Sequence, residues 1–134
     1  MKIFMDANLF IYLNTMTGEH RRAYEDFYLD MLSKYKAYTD TLVLDELLYI
    51  SWKRFKIPYR LTIDFIHGII LPYITILSLG RNELEVACDI LLKYDIKPSD
   101  ALHIAAMRNN GIRLIASEDK EFDKVHDVKR IWMD

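Results

Sequence analysis

Glutamine is absent from this 134-residue chain, cysteine occurs once, proline three times and glycine four times. With Cys88 alone, neither an intrachain disulfide nor a thiolate zinc centre can form. So few glycines and prolines leave no linker or low-complexity tract, and an apolar content of 51% excludes a disordered chain. Long apolar runs are missing too. The densest, Ile69 to Leu77, is too short to cross a bilayer, and Asp6 interrupts the apolar stretch a secretory signal would need. Neither sign of charge dominates: 18 basic against 20 acidic residues give a net charge of -2. These absences point to a cytoplasmic protein without a membrane segment, and the length suits a single domain spanning residues 1–134. The missing glutamine fits the avoidance of thermolabile amides in hot habitats.

What is present alternates between two kinds of pattern. Lys2 to Met5 reads as a short strand, turning at Asp6-Ala7-Asn8 into a helix. Between Glu19 and Lys36, Ala23, Tyr24, Phe27, Tyr28, Met31, Leu32 and Tyr35 recur at spacings of three and four, which predicts an amphipathic helix. Thr39-Asp40-Thr41 offers caps for a helix over Leu42 to Phe55, and Pro58 closes it by disfavouring helical backbone at Ile57. A helix from Tyr59 to Ile70, a strand from Ile74 to Leu79 and a helix from Arg81 to Tyr94 follow. Pro98-Ser99 opens a last helix ending near Gly111, before strands at Ile112 to Ala116 and around Arg130 to Met133. This alternation predicts an α/β fold, a parallel sheet covered by helices on both faces, with its ligand site beyond the carboxyl ends of the strands.

The informative residues are acids in unusual places. Asp6 directly follows the first strand, where it is either a helix cap or a site residue. Glu46 has Leu42, Val43, Tyr49 and Ile50 as its helical neighbours, so it projects from an apolar stripe and needs a cation, a proton, or an edge position that reaches water. Asp100 opens a small-residue helix, where the helix dipole alone would favour a negative charge. His103, one turn on, reads as a packed or solvent-edge histidine. Asp119 follows the strand Ile112 to Ala116 amid Glu118, Glu121 and Asp123, and local pattern does not choose among these four. Oxygen-only ligation by such acids suits Mg²⁺ or Mn²⁺, whereas histidine and cysteine are too scarce for zinc.

Four segments taken in order resemble a known family. Met5-Asp6-Ala7-Asn8-Leu9-Phe10-Ile11-Tyr12, Leu44-Asp45-Glu46-Leu47, Ser99-Asp100-Ala101-Leu102-His103-Ile104-Ala105-Ala106 and Ala116-Ser117-Glu118-Asp119-Lys120-Glu121-Phe122 are similar to motifs of the PIN-domain nucleases, nearest the VapC-like toxins of prokaryotic toxin–antitoxin pairs. The resemblance implies a three-layer α/β/α domain and metal-dependent hydrolysis of RNA phosphodiester bonds. It assigns Asp6, Glu46, Asp100 and Asp119 as the catalytic, metal-holding acids, with Asn8 and Ser117 as polar supports and Mg²⁺ or Mn²⁺ as cofactor. It also implies an RNA substrate, a small antitoxin partner and a homodimer. Arg21-Arg22, Lys53-Arg54 with Lys56 and Arg60, Arg108 with Arg113, and Lys129-Arg130 are candidate guides for RNA, or simply solvated surface charge.

Two other readings stand beside it. A haloacid-dehalogenase-like phosphatase would use Asp6 as a nucleophile, but the second aspartate of its motif is replaced by Asn8 and Glu46 is left without a role. A non-catalytic PIN-like module would keep the acids and bind RNA or a protein without cutting.

Overall fold

The computed structural model describes residues 1–133. Its centre is a five-stranded parallel sheet made of β1 (Lys2–Met5), β2 (Lys36–Asp40), β3 (Thr75–Leu77), β4 (Leu114–Ala116) and β5 (Lys129–Ile131). The spatial order is β3-β2-β1-β4-β5, and every pairing is parallel. β1 is the middle strand, and its Ile3, Phe4 and Met5 are fully buried because helices flank the sheet on both sides.

The flanking helices are α1 (Ala7–Thr15), α2 (Gly18–Lys34), α3 (Thr41–Phe55), α4 (Tyr59–Phe65), α5 (Arg81–Lys93) and α6 (Pro98–Asn109). α1 packs on α2 and α3, α3 packs on α4, and α5 packs on α6. The result is the expected three-layer α/β/α arrangement. Asp6 caps α1 and Asp40 caps α3, each lending a carboxylate oxygen to a first-turn N–H. Gly111, with φ of +67°, makes the left-handed turn after α6 that sends the chain into β4.

The strand at Lys36–Asp40 was not anticipated. The amphipathic pattern predicts a helix as far as Lys36, whereas α2 stops at Lys34 and β2 begins one residue beyond its cap, Tyr35. Five residues squeezed between two helices show too little alternation to announce themselves. The expected helix over Tyr59 to Ile70 exists, but α4 loosens after Phe65 into a π turn at Ile66–Ile70. The segment expected to be a charged loop holds a 3₁₀ turn at Lys120–Lys124, capped by Asp119. No helix among the described residues is long and apolar enough to cross a membrane.

Candidate active site

In this sheet the chain moves from β1 to β2 on one side and returns to β4 on the other, so a crevice opens between β1 and β4 at their carboxyl ends. Asp6 and Ser117 are the residues immediately beyond those two strands. They are bonded across the crevice: the Ser117 hydroxyl donates to Asp6 Oδ2 at 2.6 Å, while Asp6 Oδ1 accepts from the Ala7 N–H at 2.8 Å. Both are buried. A charge-assisted bond of this kind fixes the carboxylate's rotamer without neutralising it.

Asn8 completes the brace. Its amide nitrogen lies 3.5 Å from Asp6 Oδ2 and 3.4 Å from Ser117 Oγ, and its Oδ1 accepts from the Glu118 N–H at 3.3 Å. Ser117 Oγ in turn accepts from the Asp119 N–H at 3.0 Å, and Asp119 Oδ1 accepts from the Glu121 N–H at 2.9 Å. One hydroxyl therefore sets both Asp6 and the loop that carries Asp119.

Asp100 enters from the first turn of α6 and is 6% exposed. Its Oδ2 is buried with no hydrogen-bond partner among the described residues. Burial, then the charge of Asp6, raises its carboxyl to about 6; Asp119 adds to the rise, and His103 and Lys97 oppose it. Glu46 is raised as well, by desolvation first and Asp6 second, with His103, Lys97 and Arg54 pulling the other way. These mutual influences place Asp6, Glu46, Asp100 and Asp119 in one electrostatic neighbourhood. Glu46 is on the exposed side of α3, not in its buried stripe, which is Val43, Leu47 and Ser51. It reaches water at the wall of a cavity of about 250 Å³, which it shares with Asp45, Tyr49, Ser99 and His103.

Sequence reasoning missed the partner of His103. Its Nδ1 is 2.7 Å from Asp40 Oδ2, with both side chains essentially inaccessible. Burial disfavours the charged imidazole, but the hydrogen bond and charge of Asp40, with Asp6 and Asp100 behind, outweigh it and raise its pKa. A histidine at the end of an apolar strip gives no local sign of an aspartate on another element.

A buried acceptor without a donor is what a cation would complete, and the donor set is all oxygen, as a hard divalent ion requires. Among the described residues no three acids or histidines are preassembled at ligating spacing. A concavity of about 890 Å³ beside β3 and α5 contains none of these acids. Its Glu83 is already committed to the Gly80 N–H and the Asn109 amide, both at 2.7 Å.

Comparison with known proteins places this geometry. The profile of the PIN domain matches residues 3–128. Ribonuclease VapC13 of Mycobacterium tuberculosis is 31% identical over 133 residues, which is 96% of this chain and 98% of that protein. Among solved structures, the sarcin-ricin loop cleaving toxin VapC20 of Mycobacterium tuberculosis superposes with a TM-score of 0.75 at 19% identity, over 92% of this chain and 95% of that one. DNA-bound VapBC from Salmonella typhimurium gives a TM-score of 0.73 at 18% identity, over 98% of each chain. At those identities the two structures speak for the fold alone.

Proposed function

The chain belongs to the PIN-domain family, and from that premise we propose that it is a ribonuclease toxin of the VapBC type, cutting RNA phosphodiester bonds with the help of Mg²⁺ or Mn²⁺. The observation that carries the reading is the buried, unpartnered Oδ2 of Asp100 beside the braced carboxylate of Asp6. Stability alone does not call for an orphaned acceptor next to a second buried acid; a cation-dependent site does.

In this reading Asp6, Glu46, Asp100 and Asp119 hold the ion, and Asn8 and Ser117 keep Asp6 and the Asp119 loop in register. A divalent ion bound by these acids would supply positive charge at the scissile phosphate and lower the pKa of a water. Asp6 is held in its orientation by the Ser117 hydroxyl and the Ala7 N–H. Asp100, raised to about 6, carries its proton at mildly acid pH and is ready to ligate only above it, and burial moves Glu46 in the same direction.

The partner in this reading is a small antitoxin. Leu13, Tyr28, Leu29, Leu32, Ile69 and Tyr73 line an apolar groove of about 280 Å³ suited to a helix of such a peptide. A solved VapBC complex of the same fold agrees with an antitoxin partner; in this reading the protein is also a homodimer and acts in the cytoplasm.

The deciding experiment incubates single-stranded and structured RNA with the protein in Mg²⁺ or Mn²⁺, with EDTA and Asp6→Asn as controls. Metal-dependent cleavage lost in the variant is expected. Intact RNA in every tube, with folded protein, would sink the nuclease reading.

A further inference from the structure

α3 does more than hold Glu46. Its second half exposes aromatic rings to solvent: Tyr49 is 49% exposed, Trp52 44%, and Tyr59 at the start of α4 46%. These rings are interleaved with cations. Lys53 lies 5.7 Å from the centre of the Tyr49 ring, Lys56 lies 5.9 Å from that of Trp52, and Trp52 and Tyr59 are 5.8 Å apart. Arg54 belongs to the same patch and is close enough to Glu46 to lower its pKa. Alternating flat rings and positive charge is the composition of a surface that tracks a single nucleic-acid strand, with the rings stacking on bases and the cations neutralising phosphates.

The patch leads into the acids. The cavity at Glu46 is lined by Tyr49, by Asp45 next to Glu46, and by Ser99 next to Asp100. A group lodged there lies against Glu46 on one helix and one residue from Asp100 on another. Asp45 and Tyr49 are one helical turn apart and so share a face of α3. Asp45 has no hydrogen-bond or ion-pair partner among the described residues, so its carboxylate offers two free acceptors beside an aromatic platform.

We propose that the Tyr49–Trp52–Tyr59 surface of α3 and α4, with Lys53, Arg54 and Lys56, is the path of single-stranded RNA into the site, and that the cavity at its end takes one base, preferring guanine. The inference rests on the ribonuclease reading and names its substrate class. Asp45 carries the preference. Two carboxylate oxygens match the adjacent N1–H and N2–H₂ donors of guanine, whereas uracil has no amino group to offer. From Asp45 to Lys56 the helix rises about 16 Å, room for a few stacked nucleotides.

The test separates binding from cutting. Anisotropy of labelled ten-nucleotide RNAs is measured in EDTA, comparing oligouridine with the same strand carrying one central guanosine. Tyr49→Ala and Trp52→Ala are expected to weaken both RNAs on the order of tenfold each, with unchanged melting temperature. Asp45→Ala is expected to abolish the advantage of the guanosine strand while leaving oligouridine binding intact. In a Trp132→Phe background, RNA should quench the remaining fluorescence of Trp52. Variants that bind both RNAs like the parent would overturn the path even if the parent cleaves RNA. Variants that change sedimentation but not RNA affinity would overturn it by making the patch a protein interface. A parent that binds RNA in EDTA yet never cuts with metal would retire the nuclease reading and leave the path standing.

Discussion

Asp40 and His103 join the two helices that carry Glu46 and Asp100. From the end of β2, Asp40 gives one oxygen to the Val43 N–H at 2.9 Å, capping α3, and the other to the imidazole of His103 on α6 at 2.7 Å. The relative placement of two site acids thus depends on a side chain that belongs to neither helix.

Asp40→Ala removes the cap and leaves the His103 ring buried without its counter-charge. The expected loss is about 3–5 kcal/mol, read by urea denaturation. Asp40→Asn keeps an acceptor for Val43 and should cost less. Because the folded pKa of His103 is raised above 6.5, its contribution is fully present below that value and is lost as pH rises through the folded one. The advantage of the parent over Asp40→Asn should therefore shrink with rising pH; a gap independent of pH would show that the imidazole stays neutral.

Asp100 works against the fold it belongs to. Its folded value of about 6 lies above the ordinary 3.8, so it favours the folded state fully below 3.8, and that benefit disappears as pH rises through about 6. In EDTA at pH 8, Asp100→Asn should melt higher than the parent by an amount equivalent to about 1–2 kcal/mol, allowing for solvent screening. The difference should vanish by pH 4. RNA cleavage, if it uses this acid, should be lost in the same variant.

Metal should reverse that penalty. Mg²⁺ or Mn²⁺ at millimolar concentration is expected to raise the melting temperature of the parent at pH 7.5, to do so less at pH 5.5, and to leave Asp100→Asn unmoved. Equal shifts in parent and variant would place the ion elsewhere.

Ser117→Ala deletes one hydroxyl that serves two neighbours, leaving Asp6 Oδ2 without its short donor and the Asp119 N–H without its acceptor. A loss of about 1–3 kcal/mol in stability is expected, with weaker Mn²⁺ binding by calorimetry.

Lys56 is the one non-glycine residue with positive φ among the described residues, at +59°, where it terminates α3. Lys56→Gly should therefore stabilise the protein by about 1 kcal/mol. It also removes the cation beside Trp52, so RNA affinity should fall and lose part of its salt dependence. A variant that melts higher but binds RNA unchanged would detach Lys56 from the path.

Much of this was written locally in the chain. The strand before Asp6, the periodic helix of Tyr24 to Leu32 and the Pro98 start are short-range patterns, and the structure follows them within a few residues. Asp6 and Asp119 stood out because acids follow strands, and Asp100 because it opens a small-residue helix. Glu46 was picked out for a stripe that in fact turns partly outward. Asn8 and Ser117 came from family resemblance alone, since their meaning lies in bonds across the crevice. The Asp40–His103 pair was illegible because its members are 63 residues apart and each has an ordinary local explanation.

The Asp6–Ser117 bond spans 111 residues of chain. During synthesis the first acid emerges early, but the hydroxyl that orients it, the strand that walls its crevice and the loop bearing Asp119 arrive only near the end. The topology thus sets an order of assembly: the Asp6 carboxylate is not oriented until a residue 111 positions further along the chain has been made and folded against it.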